Sequence, residues 1–486
     1  MSGQPPVPDF RTLDESLAHW AHHRPDALAL ADETRTWCYA ELYAIVQARA
    51  QELERRRAPA VAWALDEGCT AERLIEFLAI VASGRTAALG DPDWPDAVRE
   101  QVRRRIVQQP ATMPAPDPLT PFYIGFTSGS TGLPKGFCRH HRSWIESLRV
   151  CVDTFGPAAA MRVLAPGRTS HSLFLFGMVQ GLWSGAGVRV QQRFSAARSL
   201  QTLARDQAAC LVAVPSQLLL MLALAARRAM PPIEATRLVL ISGARWMRER
   251  TPELRRLFPR ARIVEFYGAS ETSFMAWAEA DENLPANTVG RPFSNVEIDI
   301  RGAAAPGEPG LIFVRSPMVF IDYVGLGAAG EGQGGGHDIT AAIRDGDWLS
   351  VRDMGHLDGD GLLHLAGRQQ RMLVTQGKNL FPEEVESVLS AHPRVDAVSV
   401  LGVPDPLRGT AVVAVVQPAS GVRFDAQELA AWCRDRLEPY KIPRRFWLCL
   451  SWPQTPSGKT DHARLALAVR TAAPAVAGPL LPLLEA

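Results

Sequence analysis

Hydrophobic positions follow two different spacings along the first two thirds of the chain. Residues 39–53 and 71–83 carry apolar side chains every three or four positions, which is the spacing of an amphipathic helix. Short continuous apolar runs, typical of buried parallel strands, follow at 122–126, 209–214, 237–241 and 262–266. The alternation of the two patterns predicts an α/β fold in which helices cover a mainly parallel sheet.

The pattern changes twice further along the chain. Over residues 296–323, short apolar stretches separated by Gly and Pro predict antiparallel strands and a small β-barrel-like part. After Gln370, helical and strand patterns alternate over roughly 100 residues, the size of a small domain. We therefore predict a large N-terminal α/β region with several subdomains over residues 1–369, a small mobile α+β domain over 371–470, and a flexible tail over 471–486.

Composition limits the class of protein. The 486 residues carry a net charge of only +1, which argues against an extended nucleic-acid-binding surface. No stretch reaches the ~18–20 consecutive apolar residues needed to span a bilayer, and the N-terminus lacks the pattern of a signal peptide. The seven cysteines are scattered and form no CxxC pair, which speaks against a disulfide framework or a zinc site. We expect a cytoplasmic protein that binds no nucleic acid and does not span a membrane.

Lysine is scarce in this chain, in which 48 of the 52 basic residues are arginine. The four lysines lie in stretches punctuated by Gly or Pro, at Lys135, Lys378, Lys441 and Lys459. A lysine ends in a compact ammonium on a flexible stem, which suits a point charge that must reach a phosphate or carboxyl oxygen. The alternative is that codon bias removed most lysines and that these four remain by chance. We therefore look for chemistry first in these four stretches.

The segment 127–136, TSGSTGLPKG, is the strongest motif. It follows a predicted strand, its glycines let the backbone approach a ligand closely, and its hydroxyls and amides can surround phosphate oxygens. It is not a Walker P-loop, because the GxxxxGK[ST] spacing is absent. A Ser/Gly linker is the alternative. The candidate phosphate contacts are Thr127, Ser128, Gly129, Ser130, Thr131, Gly132 and Lys135.

This segment resembles the phosphate-binding signature of the adenylate-forming superfamily, which comprises acyl-CoA synthetases, the adenylation domains of peptide synthetases, and luciferases. Four further stretches are similar to motifs of that family and occur in the same order. They are YGASET at 267–272, DWL to DMG at 347–355, GR with a later Gly and a helix at 367–386, and TPSGK at 455–459. The resemblance covers the chain from about residue 12 to about residue 465.

The resemblance implies a role for each motif residue. Glu271 and Thr131 would hold Mg²⁺, which favours one or two carboxylates plus phosphate oxygens. Lys459 would stabilise the attack of a carboxylate on the α-phosphate of ATP. Each residue also has a plain structural alternative: a surface Glu, a core Tyr, a turn Asp, a salt-bridged Arg or a loop Lys. The other implied nucleotide contacts are Tyr267, Gly268, Ala269, Ser270, Thr272, Asp353 and Arg368.

Members of the family activate a carboxylic acid with ATP and Mg²⁺, release pyrophosphate and pass the acyl group from acyl-AMP to a thiol. In relatives the small C-terminal domain rotates between the two steps, and here Gly377 and Lys378 would line the thiol channel. Two positions depart from the family pattern. The hinge residue, usually Asp or Lys, would be Gln370, and the ribose segment reads SVRD rather than TGD, which puts Arg352 beside Asp353.

The residues around His171 bear on the choice of acid. His171 begins a His/aromatic-Gly segment typical of acyl-CoA synthetases, and we count it as a catalytic candidate with Lys459, Thr131 and Glu271. Amino-acid-activating domains usually carry an Asp there, and none is present. Arg245 either pairs with a second carboxylate or faces solvent. An apolar pocket, which suits an acyl or aryl chain, is expected from Phe174, Phe176, Gly243, Ala244, Gly268 and Phe274.

Two thiol acceptors remain open. YKIP at 440–443 resembles the lysine-bearing version common in CoA ligases, which favours free CoA. The phosphopantetheine arm of an acyl carrier protein is the alternative. A nucleotide-binding relative that has lost turnover is a third hypothesis. Only Gln370 supports it, and four residues oppose it, namely Lys135, Glu271, Asp353 and Lys459.

Overall fold

The computed structural model describes residues 7–64, 68–106, 111–127, 134–205, 207–285, 287–305, 307–324, 342–375, 378–405, 408–419, 426–455, 459–472 and 483–485. Its backbone falls into two compact units. Unit 1 comprises residues 1–284, 289–298 and 314–351, and unit 2 comprises residues 285–288, 299–313 and 352–486.

Local hydrogen bonds and glycine positions determine where some helices of unit 1 begin and end. In the second helix, the Glu41 carboxylate accepts a hydrogen bond from the Cys38 backbone N–H (3.0 Å), as in a capping box. The fifth helix ends at Gly156, whose φ of +71° suits a residue without a side chain. These helices are α1 Leu13–His23, α2 Tyr39–Arg55, α3 Thr70–Ala82, α4 Asp96–Arg104, α5 His141–Phe155, α6 Ser172–Trp183, α7 Ala196–Ala204, α8 Pro215–Arg227 and α9 Thr251–Leu257.

Eighteen strands are found from the start of the described chain to residue 350, and the boundary between the units runs through three of them, β13, β14 and β15. They are β1 Leu28–Ala31, β2 Thr36–Cys38, β3 Val61–Trp63, β4 Thr86–Ala88, β5 Pro121–Thr127, β6 Lys135–His140, β7 Val163–Ala165, β8 Val188–Val190, β9 Cys210–Ala213, β10 Leu238–Ile241, β11 Arg262–Ala269, β12 Ser273–Glu279, β13 Thr288–Pro292, β14 Glu297–Arg301, β15 Gly310–Arg315, β16 Asp322–Val324, β17 Ile343–Asp345 and β18 Trp348–Ser350.

Two sheets organise unit 1. In the larger one the strands lie in the order β13-β12-β11-β10-β9-β7-β8-β1-β2, and the pairs from β11 to β1 are parallel. The smaller sheet has the order β16-β6-β5-β4-β3, with β3, β4 and β5 parallel and β6 antiparallel to both neighbours. Buried apolar strands such as Leu238–Ile241 explain the parallel pairing, since such sheets are covered on both faces.

Helix α6 packs unusually close to the larger sheet because two of its residues lack a side chain. A Cβ on Gly177 would lie 2.9 Å from Val212, and a Cβ on Gly181 would lie 2.5 Å from the Gly187 carbonyl oxygen. From Phe174 to Trp183 every residue of α6 is buried. The helix is therefore a core element that carries Phe174 and Phe176 at a fixed position.

Unit 2 contains a four-stranded sheet and three helices over its C-terminal part. The sheet has the order β23-β24-β25-β26, and its core packs Val385 and Leu389 of the first of these helices against Val400, Val412 and neighbouring residues. The elements are β19 Asp353–Leu357, β20 Leu363–Arg368, β21 Leu373–Thr375, β22 Lys378–Leu380, β23 Val395–Asp405, β24 Gly409–Pro418, β25 Arg445–Cys449 and β26 Leu483–Glu485, with α10 Pro382–Ser390, α11 Ala426–Arg434 and α12 His462–Ala472.

The predicted fold class is confirmed: helices alternate with mainly parallel strands in unit 1, and a separate α+β part follows. One detail of that prediction is wrong, because the expected β-barrel-like part is not a closed barrel. Among the described strands, β17 pairs on one side only, with β18, so the sheet keeps an open edge. Within the described residues, no helix combines the length and apolarity that crossing a bilayer requires.

Candidate active site

A tight turn between β11 and β12 presents Glu271. The Thr272 hydroxyl accepts a hydrogen bond from the Ala269 N–H (3.1 Å), and Thr272 is almost fully buried. A Cβ on Gly268 would lie 1.9 Å from the Ser273 carbonyl oxygen, so only glycine fits where the two strands meet. Tyr267, on the same strand, is half-buried. The motif 267–272 is therefore one compact hairpin rather than a surface loop.

The Glu271 carboxylate has a phenol beside it. The Tyr323 hydroxyl donates a hydrogen bond of 2.9 Å to Oε1 of Glu271, and the Phe320 N–H donates one of 2.7 Å to the Glu271 carbonyl oxygen. The Lys135 ammonium lies 5.8 Å from the centre of the Tyr323 ring. Tyr323 thus connects the lysine of the phosphate motif to the proposed metal carboxylate.

A buried arginine also supports the turn that presents Glu271. Arg139 is 1% exposed and donates hydrogen bonds to the carbonyl oxygens of Ser270 (2.7 Å) and Met318 (2.6 Å). Burial lowers the pKa of Arg139 to about 10, while the Glu271 carboxylate acts in the opposite direction. The guanidinium therefore stays charged at neutral pH and places a fixed positive charge near Glu271.

The sequence indicated neither Arg139 nor Tyr323. A signal for Arg139 exists, because Lys135, Phe137 and Arg139 alternate along β6 and must share one face of the strand. The sequence gives no comparable signal for Tyr323. This residue reaches the site because β16 pairs with β6, where Tyr323 lies opposite Phe137.

The phosphate motif is described at its two ends. Thr127 closes β5 and lies opposite Lys135, the first residue of β6, which is 6% exposed. Lys135 is therefore a buried residue at the start of a strand, and it does not belong to a solvated linker. The residues between these ends lie outside the described part of the chain, and they include Ser128, Gly129, Ser130, Thr131 and Gly132.

The expected acid-pocket residues divide into buried rings and exposed positions. Phe176 and Phe274 are buried and meet edge to face at 5.1 Å between ring centres. The His171 ring, at the start of α6, lies 5.2 Å from the ring of Phe174. Ala244 is exposed, so the structure does not bring it into this aromatic group.

Two other expected positions lie in the turn after β10. Gly243 adopts φ of +88°, which explains a glycine there. Arg245 is exposed, and its charge lowers the pKa of the neighbouring Glu265, although burial has the larger and opposite effect on that carboxyl group.

In unit 2, Asp353 and Arg368 lie opposite each other on β19 and β20. The Arg368 Nε is 3.1 Å from Oδ1 of Asp353, and the Asp353 side chain is buried whereas the Arg368 side chain is 62% exposed. Arg352, the unexpected neighbour of Asp353, adopts φ of +65° and donates a hydrogen bond to the Gln369 side chain (3.1 Å). The SVRD sequence therefore keeps Asp353 in a strand and turns Arg352 toward the hinge segment.

The segment expected to contain the hinge is tied to α10 by half-buried ion pairs. Gln370 lies in a short helical turn, residues 369–371, and the next residue is Arg371. The Arg371 guanidinium pairs with Glu383 at 2.9 Å and with both oxygens of Glu386. Burial alone would lower the pKa of Arg371, but the Glu386 and Glu383 carboxylates raise it. The charged Arg371 therefore anchors the chain next to the neutral Gln370, the expected hinge residue.

The remaining lysines differ in exposure. Lys378 is exposed, 4.8 Å from the centre of the Tyr440 ring, and Gly377 lies outside the described residues. Lys441 is 9% exposed and pairs with the carboxylates of Glu384 (2.6 Å) and Glu438 (2.8 Å). Because its ammonium already pairs with two carboxylates, Lys441 contributes to the packing of unit 2. The YKIP sequence is therefore weaker support for free CoA as the acceptor.

The backbone of Lys459 is hydrogen-bonded to Thr455. Its carbonyl oxygen accepts hydrogen bonds from the Thr455 N–H (2.7 Å) and hydroxyl (3.3 Å), and its N–H donates to the same hydroxyl (3.2 Å). Gln454 and Thr460, the neighbours of these two residues, form an antiparallel bridge. Residues 456–458 lie outside the described residues, and the Lys459 side chain is exposed.

Comparisons with known proteins agree with this arrangement. Residues 85–324 match the family model described as AMP-binding enzyme, and residues 384–459 match the AMP-binding enzyme C-terminal domain. An uncharacterized acyl–CoA ligase of Bacillus subtilis is 38% identical over 360 residues, which span 73% of this chain and 70% of that protein. A feruloyl-CoA synthase of Amycolatopsis is 30% identical over 403 residues, 78% of each chain.

The fold is also found in solved structures. The o-succinylbenzoate CoA synthetase of Bacillus subtilis, in complex with an acyl-adenylate intermediate, superposes with a TM-score of 0.79 at 24% identity, over 96% of this chain and 99% of that one. The matched family models and the 38% identical relative identify the family: the chain belongs to the AMP-binding enzyme family, as an acyl-CoA ligase of the AMP-forming acid–thiol class.

Proposed function

We propose that the chain joins an apolar acyl or aryl carboxylic acid to CoA at the expense of ATP. Acyl-CoA ligases of this family use ATP, Mg²⁺ and CoA. The observation that carries the proposal is the group of Lys135, Glu271, Tyr323 and Arg139, which combines one carboxylate with two cations around a single turn. The aromatic rings of α6 and β12, and a relative named for a feruloyl group, favour an apolar acid.

In the first step, the carboxylate of the acid attacks the α-phosphate of ATP, forms acyl-AMP and releases pyrophosphate. Lys135, with Thr127, Ser128, Gly129, Ser130 and Gly132, is proposed to hold the phosphates. Tyr267, Gly268, Ala269, Ser270 and Thr272 are proposed to hold the adenine. His171 stands at the start of α6 beside Phe174, where it can flank the acid.

The residues present fit a Mg²⁺ ion that is shared with phosphate. The Glu271 carboxylate is half-buried, oriented by Tyr323, and we propose it as a ligand together with the Thr131 hydroxyl. No group of three metal-binding side chains was found among the described residues, and a Mg²⁺ site completed by phosphate oxygens does not need one. When bound, Mg²⁺ supplies positive charge that offsets the negative charge developing on the phosphates.

Unit 2 is proposed to supply the ribose contacts and the mobile catalytic residues. Asp353, with Arg368 beside it, would accept hydrogen bonds from the ribose hydroxyls. Lys459 would stabilise the negative charge as the carboxylate attacks. We propose that the N-terminal domain ends at residue 369, that Gln370 is the hinge, and that Gly377 and Lys378 of the domain 371–470 line the path of the thiol.

In the second step, the thiolate of CoA attacks the acyl carbonyl and AMP leaves. A stand-alone ligase that loads the phosphopantetheine arm of a carrier protein is the second candidate, and it shares every residue of the first step. Because all seven cysteines are described and none is in a disulfide, we propose that the reaction takes place in a reducing compartment such as the cytoplasm.

One assay tests these statements in order. The chain is incubated with ATP, Mg²⁺, labelled pyrophosphate and a panel of acyl and aryl acids, and exchange of label into ATP is measured. CoA or a carrier protein is then added and the thioester is measured. Absence of acid-dependent exchange would contradict both candidates, whereas exchange followed by transfer only to the carrier would leave the second.

A further inference from the structure

Three histidines lie at the C-terminal end of α1, and none of them belongs to the candidate adenylation residues. They are His19, His22 and His23. Because His19 and His23 are four positions apart, they lie on the same face of the helix, one turn from each other. Their rings stack at 20° to each other, with 4.0 Å between the ring centres. His23 is exposed and His19 is half-buried, so the two rings, which we call the α1 histidine pair, are accessible to ions in solution.

One hydrogen bond determines which nitrogen of His23 is available to a ligand. Nδ1 of His23 lies 2.9 Å from the His19 carbonyl oxygen. A carbonyl oxygen only accepts hydrogen bonds, so Nδ1 carries the proton and Nε2 of the neutral ring keeps its lone pair. A metal-binding histidine ordinarily has this kind of support, in which its second ring nitrogen donates to an oxygen and fixes the orientation of the ring.

The His19 ring is held in place by aromatic neighbours. It meets the Trp20 ring at 4.6 Å and the Phe10 ring at 5.4 Å between ring centres, in both cases edge to face. Among the described residues, neither ring nitrogen of His19 has a hydrogen-bond partner. Two positively charged rings would repel each other when stacked at 4.0 Å, so the stack favours the neutral form of the imidazole, which is the form that binds metal ions.

A second stacked pair of histidines shows what the α1 histidine pair has in addition. His356 and His364 lie opposite each other on β19 and β20, with 4.9 Å between their ring centres. His364 is buried, and its two ring nitrogens lie 2.7 Å from the Asp358 carboxylate and 3.3 Å from the side-chain oxygen of Asn287. Both nitrogens of His364 are therefore engaged, whereas the α1 histidine pair keeps an accessible lone pair.

We propose that the α1 histidine pair binds one divalent transition-metal ion of the Ni²⁺, Cu²⁺ and Zn²⁺ class through one nitrogen of each ring, with water at the remaining positions. Two nitrogens at about 2.0–2.1 Å from a tetrahedral metal lie about 3.3 Å apart, and rings stacked at 4.0 Å reach that separation with a small movement. Imidazole suits these metals, whereas Mg²⁺ prefers oxygen ligands, so the site differs in chemistry from the one proposed at Glu271. The described residues supply no third protein ligand, and the bound ion therefore keeps open positions.

The α1 histidine pair lies where α1 is attached to α6. The Trp20 indole N–H donates a hydrogen bond to the Trp183 carbonyl oxygen (2.8 Å). The Arg24 guanidinium donates another to the Gly185 carbonyl oxygen (2.8 Å). Because an ion bound to two successive turns of α1 requires the folded helix, it stabilises the folded state relative to the unfolded chain. The position also favours a cation, since the last carbonyl groups of a helix leave partial negative charge at its C-terminal end.

The probe for this site is Ni²⁺, with Mn²⁺ as a divalent ion that binds nitrogen ligands more weakly. Binding to the full chain at neutral pH is measured by isothermal titration calorimetry, without ATP and with Mg²⁺ in excess so that oxygen sites are filled. We expect Ni²⁺ to bind at least roughly tenfold more tightly than Mn²⁺, because affinity for imidazole rises along this part of the metal series. Equal affinity for the two ions, or no binding of Ni²⁺ in the presence of Mg²⁺, would overturn the proposal.

Three variants locate the bound ion. His19→Ala and His23→Ala each remove one ligand, and we expect each to weaken Ni²⁺ binding at least about tenfold. His22→Ala removes a neighbouring exposed imidazole, whose ring meets His23 edge to face, and should leave binding unchanged. Ni²⁺ should also raise the thermal midpoint of the unchanged chain and of His22→Ala but not that of His23→Ala, and the same melts show that each variant is folded. Binding that survives both His19→Ala and His23→Ala, or that depends on His22, would contradict the proposed site.

Discussion

Glu271 is fixed from several directions, whereas the hydrogen bonds described between Thr455 and Lys459 hold only the backbone of Lys459. Around Glu271, Tyr323 contacts the carboxylate and Arg139 holds the carbonyl oxygen of the preceding residue. The Lys459 side chain, by contrast, is exposed. For the roles proposed for these two residues, the difference predicts two kinds of catalytic group: one that is positioned before the substrate binds, and one whose ammonium acquires its place during the reaction.

Replacing Lys459 should have the largest effect on activity and almost none on stability. For Lys459→Ala we expect acid-dependent pyrophosphate exchange to fall by about 10³-fold, because one charge that stabilises the attacking carboxylate is lost. The free energy of unfolding should change by less than ~0.5 kcal/mol, since the side chain is exposed. Urea unfolding and the exchange assay measure the two quantities.

The same variant tests the step at which Lys459 acts. Thioester formation from pre-made acyl-AMP should be largely preserved in Lys459→Ala, because the carboxylate attack has already taken place. Thr455→Val, which removes the hydroxyl that bonds to the backbone of Lys459, serves as the matched control and should lower exchange less. An equal loss of both half-reactions in Lys459→Ala would contradict its assignment to the first step.

Replacing Arg139 should lower both activity and stability. Arg139→Met leaves two carbonyl oxygens without their donor and removes one of the two cations near Glu271, so we expect the free energy of unfolding to fall by about 3 kcal/mol. Pyrophosphate exchange should fall as well, because the turn that presents Glu271 loses its support. Arg142→Met, at an exposed position on α5, is the control. A stable Arg139→Met protein with normal exchange would show that the turn does not depend on this charge.

Replacing Tyr323 separates the orientation of Glu271 from the stability of its turn. Tyr323→Phe keeps the ring near Lys135 and removes the hydroxyl that donates a hydrogen bond to Oε1 of Glu271. We expect roughly tenfold slower exchange, corresponding to about 1.4 kcal/mol, and a higher Mg²⁺ concentration for half-maximal rate. The thermal midpoint should stay close to that of the unchanged chain. An unaltered Mg²⁺ dependence would contradict the role of the phenol in orienting a metal ligand.

The difference between what the sequence predicted and what it missed has a physical cause. The strand at 262–266 that leads to Glu271 and the strand before Thr127 could be predicted because local apolar residues determine them. Tyr323 could not, because it is 52 residues from Glu271 and reaches it only through the pairing of β16 with β6. Strand order and register depend on the whole sheet, and no single stretch of sequence records them.

The smallest effect concerns Lys441, and it tests whether the scarcity of lysine marks function at every position. Its partner Glu384 is 57 residues away, so the sequence did not indicate that its charge is neutralised in place. For Lys441→Met we expect the free energy of unfolding to fall by about 1 kcal/mol, because Glu384 and Glu438 are themselves well exposed and solvent screens the pairs. Pyrophosphate exchange and the KM for CoA should not change.

Lys378→Met is the matched control for that measurement. Lys378 and Lys441 both lie near the Tyr440 ring, at 4.8 Å and 5.6 Å from its centre, but Lys378 is exposed. It should leave stability unchanged and, given its proposed position in the thiol path, raise the KM for CoA. Urea unfolding and steady-state kinetics with CoA distinguish the two lysines. If Lys441→Met instead raised the KM for CoA without altering stability, the resemblance of YKIP to CoA ligases would again be evidence for free CoA as the acceptor. Lys441 would then join Lys378 on the acceptor side of the reaction.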